Sequence, residues 1–331
     1  MEAAVCHKYG SVDVVETGSL SPPEPGPGDV LVRVLVSQIT AGDIRIRSSD
    51  FPGIFWLPAR IVFGLFKPKN PVLGVDFCGV VEVSGEGVTS FKPGDRVFGS
   101  TGVGMGCHAQ KLMISGEAGI AHLPEGVSEE DAGGVCFGGL TALYFLRDLG
   151  KVKPGDRVLV LGASGSVGLM SVQVAKYFGA DVCGLCREPK LGFVSQLEGV
   201  RFFSEFESLK SQGPFDLVMD TTGHYSLSEV KGLIKKRGAF LPVNTGAREI
   251  FQQIYSGLFF SVRVLSGVAP EKKSDIRLLG QLLKEGRIKV FVDQAFKLKD
   301  IKKAYLRAES GQKQGQVLVL MSDEDEPVTS S

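Results

Sequence analysis

The chain has 331 residues, 43% hydrophobic and 22% charged, with 37 Lys and Arg against 37 Asp and Glu. That length points to two domains, or one domain with a large insertion, and the composition is that of a globular protein. The charge balance excludes the basic excess of a nucleic-acid binder, and no uncharged apolar run is long enough to span a membrane.

The opening, Met1-Glu2-Ala3-Ala4-Val5, has neither a basic leader nor an apolar stretch, so the expectation is a cytoplasmic chain without membrane association. Residues 1–120 read as β-rich. A turn-rich stretch (21–28) precedes a strand at 29–39, residues 79–88 alternate and then turn, and 91–99 is a tight turn into another strand. Short strands punctuated by Gly and Pro suggest a barrel-like or sandwich unit. Residues 48–66 are unusually apolar, contain the single Trp and are interrupted by Pro52, Pro58 and Arg60. They are expected in a hydrophobic substrate pocket or lid; the competing reading is a buried loop or a dimer contact.

From about residue 125 the pattern changes. A helix is predicted over 128–150, with Ser128 as N-cap and Asp131 three residues on. Strands at 156–162, 181–186, 215–222 and 239–244 then alternate with helices at 168–179, 191–199 and 226–238. That rhythm predicts a doubly wound parallel sheet. A helix (274–286), a short strand (290–296), a helix (298–310) and a last strand (315–321) follow, and the acidic tail 322–331 is expected to be solvated. The six cysteines read as buried free thiols. Cys183-x-x-Cys186 lies in a strand-like segment with no second pair to complete a metal set, so no metal site is expected.

The stretch 158–170, VLVLGASGSVGLM, runs from a buried-type strand through a glycine turn into a helix, and a second strand follows at once. That context supports a dinucleotide site, with a pyrophosphate at the helix N-terminus. The fingerprint G-x-G-x-x-G falls on Ala163, Gly165 and Gly168. Ala163 then stands in for the tight-turn glycine, Gly165 allows close approach to phosphate, and Gly168 packs helix on strand. Ser166 adds a hydroxyl for a phosphate oxygen. The deciding position, about 20 residues beyond, is Arg187, with Lys190 close behind. Two cations beside the ribose favour the 2′-phosphate of NADPH, whereas a one-residue shift would put Glu188 there.

These segments together resemble the medium-chain dehydrogenase/reductase superfamily, within it the zinc-free quinone oxidoreductase (zeta-crystallin-like) branch. Residues 1–16, 29–47, 71–99, 138–146, 152–184 and 309–320 carry the likeness. It implies an α/β protein: a GroES-like β-rich catalytic domain from both chain ends (1–124 and 266–321), with a Rossmann domain (125–265) inserted. It also implies a cleft between the lobes, and a homodimer. The zinc branch has a cysteine near Asp43 and a His-Glu pair at Val75-Asp76, so no zinc is expected, and Cys107-His108 reads as packing. Carried over, the nicotinamide half lies near Thr40, Thr141, Asn244 and Val268. The adenosine half uses Ser164, Gly165, Ser166, Val167, Arg187 and Lys190, and Thr222 and Gly223 line the cleft.

Asp43 and Thr40 are the first candidates for a catalytic, substrate-side hydrogen-bonding pair; Asp43 reads equally as a structural cap. Tyr144 is a possible proton donor or a core aromatic, and His224 a surface residue. The chain departs from the branch at Thr40, where an asparagine is usual, at Glu205, where a tyrosine is usual, and at Gln314, where a base is usual, although Lys313 is adjacent. The expected activity is NADPH-dependent, metal-free reduction of a small-molecule quinone or α,β-unsaturated carbonyl compound. The alternatives are an alcohol/aldehyde or enoyl-thioester reductase, or a non-catalytic NADPH-binding protein of the same fold.

Overall fold

The computed structural model describes residues 1–51, 53–244, 246 and 262–321; the acidic tail lies outside them. An antiparallel pair, β1 (Glu2–Val5) and β2 (Glu16–Ser19), opens the chain. Next come β3 (Asp29–Ile39), helices α1 (Ala41–Ser48) and α2 (Gly53–Phe63), and strands β4 (Asp76–Ser84), β5 (Arg96–Ser100), β6 (Lys111–Ser115) and β7 (Ile120–His122). Helix α3 (Glu129–Ala142) starts at the expected cap, with the Ser128 side chain accepting from the Asp131 N–H at 3.1 Å. It runs on into a π-helical stretch, Leu143–Leu149.

The second unit contains β8 (Arg157–Leu161), α4 (Ser166–Tyr177), β9 (Asp181–Leu185), α5 (Leu191–Val194), β10 (Arg201–Phe203), β11 (Phe215–Asp220), α6 (Leu227–Val230), β12 (Ile234–Pro242) and β13 (Arg263–Val264). Its strands form a parallel sheet in the order β10-β9-β8-β11-β12-β13. Val158, Leu159, Val160 and Leu161 of the central strand β8 are fully buried. Continuous apolar sequence suits a strand covered on both faces, and each such side chain stabilises the fold by about 1.5–3 kcal/mol. The strand order reverses beside β8, which opens a crevice at the carboxyl ends of β8 and β11.

The chain closes with α7 (Lys273–Lys284), β14 (Val292–Lys297), α8 (Ile301–Glu309) and β15 (Gln316–Leu320). β15 returns antiparallel to β3, pairing Val317 with Ile39 and Leu320 with Val36. Both chain ends therefore build one sheet, β14-β15-β3-β4-β5-β7 with β6 also on β3. The architecture is a GroES-like β-rich unit into which the Rossmann sheet is inserted.

Helix α3 joins the two units, and its glycines permit that. An added Cβ at Gly133 would lie 2.7 Å from Val36, at Gly138 2.9 Å from Met170, and at Gly139 2.6 Å from Leu279. The helix thus touches β3, α4 and α7 at distances no side chain allows.

Three expectations need correction. The helix expected at 191–199 is the single turn α5. The helix expected at 226–238 is also one turn, α6, opened by a Ser226–Glu229 capping box; the chain re-enters the sheet at Ile234, which pairs with Phe215. Apolar residues there do not recur at helical spacing past Leu233, and sheet burial takes over. Segment 48–66 is not a buried loop. Its helix α2 exposes Ile54, Trp56, Leu57, Ile61 and Val62, while the Arg60 guanidinium lies over the rings of Tyr9 (3.9 Å) and Trp56 (5.0 Å).

Candidate active site in the cleft between the two units

The β8–α4 turn is built from backbone. Gly162 has φ +81°, so it, not Ala163, makes the tight turn. Its N–H and that of Ala163 both donate to the Leu185 carbonyl at 2.9 Å. Ala163 is fully buried and packs toward Gly184 of β9. A Cβ at Gly168 would overlap the Gly162 carbonyl, whereas at Gly165 the nearest atom would be 3.6 Å away. Gly165 caps α4 with no side chain on the first-turn N–H groups. Those groups and the helix dipole fit a pyrophosphate. Val167 lines the cleft, Ser164 is buried beneath the turn, and Ser166 Oγ donates to the Gly315 carbonyl at 3.2 Å.

Beyond β9, the cations converge. Lys190 Nζ donates to the Lys313 carbonyl (2.8 Å), and Lys313 Nζ donates to Ser166 Oγ (3.1 Å). Arg187 Nη2 lies 3.6 Å from where a Cβ on Gly311 would stand. Burial, and then the charge of Lys190, push the Lys313 ammonium down to about 8; burial, and then Arg187, lower Lys190. Mutual repulsion of this kind is relieved by an anion. Glu188 is exposed and forms no ion pair among the described residues, and Glu205 is exposed. Lys313, noted in the sequence only as the neighbour of Gln314, is the residue that the structure brings to this end of the cleft. Its signal is a lysine in the glycine-bounded turn before the last strand, which the β-bridge Gly165–Gly315 brings to the nucleotide loop.

At the other end, Asp220 organises the loop after β11. Its carboxylate accepts from Thr222 N–H (2.8 Å), Thr222 Oγ1 (2.6 Å) and Tyr225 N–H (3.1 Å). Gly223 has φ +75° and lies against the Asn244 side chain. Asn244 Nδ2 donates to the Thr222 carbonyl (3.2 Å), and its Oδ1 accepts from Arg45 Nη2 (2.9 Å). Thr141, Asn244 and Val268 all line one cavity of about 330 Å³, together with Val75, Val103, Phe137 and Leu140. Thr141 Oγ1 donates to the Phe137 carbonyl (2.7 Å), and Val268 is 87% exposed. A wider depression of about 630 Å³ on the β-rich unit shares only Ser100 and Glu271 with this cleft.

Thr40 and Asp43 do not stand on the cleft wall. They form the capping box of α1: Asp43 Oδ2 accepts from Thr40 N–H (2.7 Å) and Oγ1 (2.6 Å), and Thr40 Oγ1 accepts from Asp43 N–H (3.1 Å). Asp43 Oδ1 accepts from Gly74 N–H at 3.1 Å, and both side chains are buried. Burial raises the Asp43 carboxyl and lowers the nearby His108. Asp76 is buried too, and burial pushes its carboxyl up to about 7 although Gln38 Nε2 and Phe137 N–H each donate to it at 2.6 Å. Cys107 and His108 are fully buried, with the imidazole Nε2 3.0 Å from the Gln38 carbonyl oxygen. Among the described residues no group of three His, Cys, Asp or Glu is placed to hold a metal. Tyr144 packs its hydroxyl over Gly267 at the cleft edge, and His224 is exposed. No residue of α2 lines the cleft.

The cleft thus joins a nucleotide turn to an apolar chamber, and known proteins share that plan. Residues 26–196 match the alcohol dehydrogenase GroES-like domain and residues 200–319 the zinc-binding dehydrogenase family. A quinone oxidoreductase of Pseudomonas aeruginosa is 28% identical over 332 residues, 94% of this chain and 97% of that one. The chain belongs to the medium-chain dehydrogenase/reductase superfamily, in its quinone oxidoreductase branch. Another relative is a mycocerosic acid synthase-like polyketide synthase of Mycobacterium tuberculosis, 30% identical over 256 residues. That match takes in 73% of this chain but only 11% of the synthase. The structure of the quinone oxidoreductase from Coxiella burnetii superposes with a TM-score of 0.86 over 97% of this chain and 99% of that one; at 23% identity it shows the shared fold. That superfamily is one of oxidoreductases that bind a nicotinamide cofactor. Among the described residues no helix is long and apolar enough to cross a membrane.

Proposed function

We propose that the protein is an NADPH-dependent, zinc-free reductase that passes hydride to a quinone or an α,β-unsaturated carbonyl compound. One observation carries the cofactor choice: Lys313 contacts Ser166, Lys190 contacts Lys313, and Arg187 stands next to them against Gly311, where the adenosine ribose of a dinucleotide on the β8–α4 turn would lie. Three cations at that end favour a 2′-phosphate over a bare hydroxyl. The bound cofactor supplies the hydride. Gly165 and the first turn of α4 receive the pyrophosphate, while Thr141, Asn244 and Val268 border the nicotinamide side. The walls formed by Val75, Val103, Phe137 and Leu140 exclude water and favour a flat, largely apolar acceptor. Thr40 and Asp43 act at one remove, by fixing the start of α1 beside the chamber.

The domain division at residues 124/125 and 265/266, the homodimer and the cytoplasmic location belong to the same proposal; light scattering checks the oligomer. A second reading, reduction of an enoyl thioester, uses the same cleft and cofactor turn. Loss of reduced-nicotinamide absorbance is followed with quinones, enones, aldehydes and an enoyl thioester. Turnover of quinones or enones with NADPH is the expected result. Turnover confined to the thioester or to aldehydes selects an alternative, and binding without turnover selects the non-catalytic one.

A further inference from the structure

We infer that Arg45 is the substrate-recognition residue of the cleft, and that the acceptor it selects carries a carboxylate; the inference rests on the reductase reading above. Of the described residues lining the chamber, Arg45 is the only cation and Glu271 the only acid. Arg45 is half-buried on α1, and its one described side-chain bond goes to a neutral amide, Asn244 Oδ1 at 2.9 Å. It has no carboxylate partner among the described residues. Its neighbour two positions on, Arg47, is ion-paired with Glu309 at 2.6 Å, and Arg96, Arg147, Arg157, Arg201 and Arg307 have acidic partners as well.

A half-buried guanidinium with no counter-ion among the described residues, set in largely apolar walls, suits a planar anion, because the fork matches a carboxylate with two parallel bonds. Asn244 fixes its direction in advance. The Asn244 Nδ2 bond to the Thr222 carbonyl orients the amide so that its oxygen faces Arg45. Glu271 lies against Gly102 on the part of the lining shared with the outer depression, and burial raises its carboxyl. A carboxyl there offers an anion no attraction, so the carboxylate end is set to meet α1 and the neutral end Gly102 and Val103.

The probes are trans-4-oxo-2-pentenoate, its methyl ester, and the unreactive saturated acid 4-oxopentanoate. Wild-type protein is expected to prefer acid to ester in kcat/KM. Arg45→Met is expected to lower that acid-over-ester ratio by about 30-fold, and Arg45→Lys by less, because an ammonium keeps the charge but not the fork. Calorimetry of 4-oxopentanoate on the NADPH-loaded protein is expected to show binding that Arg45→Met abolishes; far-ultraviolet circular dichroism checks the fold of each variant. Equal use of acid and ester by the wild type, or an unchanged ratio in Arg45→Met, overturns the inference while leaving the reductase reading intact. Loss of NADPH affinity matching the loss of acid binding also overturns it, because the guanidinium then serves the cofactor. Arg45-dependent binding of 4-oxopentanoate with no turnover of any acceptor upholds the anion site and removes the reductase reading.

Discussion

At the scale of single residues, the nucleotide end of the cleft turns on Lys313. Buried beside Lys190 and touching Ser166, it titrates at about 8, below the usual lysine range. A 2′-phosphate is held best by the charged form, so NADPH affinity should fall between pH 7 and 9 more steeply than NADH affinity. Lys313→Met should weaken NADPH about tenfold or more and flatten that difference. Fluorescence titrations of both cofactors across this range check it; parallel pH curves in the wild type would remove Lys313 from the site. Asp76 makes a second test, of stability. Its folded value of about 7 lies above that of a free aspartate, so its contribution is fully present in acid and is lost as pH rises toward and through 7. An asparagine can still accept from Gln38 and Phe137. Thermal melts should therefore show Asp76→Asn gaining on the wild type between pH 5 and pH 8.

At the scale of elements, α1 and α3 both line the chamber and set its walls in place. Thr40→Ala removes the side-chain half of a capping box and should cost about 1 kcal/mol of stability, read by denaturant unfolding. Gly138→Ala forces a Cβ to 2.9 Å from Met170 and from the Ser166 carbonyl oxygen. Overpacking there should cost about 1–3 kcal/mol and, because Ser166 begins α4, weaken both cofactors together. Much of this layer was legible in the amino-acid sequence. The Ser128 cap, the β8–turn–α4 unit and the return strand β15 stand where periodicity and capping signals put them. Local pattern misled where tertiary pairing overrides it. Lys235, Lys236 and Arg237 look like the end of a helix, but Ile234 and Ala239 on either side pair with β11. Segment 48–66 looks like core by composition, yet α2 carries its apolar side chains outward. Thr40 and Asp43 show the same ambiguity at the site: polar residues beside a cleft in sequence, a closed cap in space. Arg45 could not be singled out by type alone. What marks it is the absence of a described carboxylate partner within a cavity, a property of packing.

For the whole molecule, the two units meet through the Gly165–Gly315 bridge and the Arg45–Asn244 bond, one at each end of the cleft. A dinucleotide spanning both ends stabilises the folded state by mass action, about 2.7 kcal/mol at a hundredfold excess over Kd. NADPH should accordingly raise the melting temperature more than NADH at equal concentration. The central claim, that a glycine turn and three gathered cations make this an NADPH enzyme, is tested most directly by titrating the protein with NADPH and with NADH at neutral pH. The account predicts an NADPH Kd at least about tenfold lower, the advantage disappearing when Arg187, Lys190 and Lys313 are all replaced by methionine. Equal or tighter binding of NADH by the wild type would contradict it.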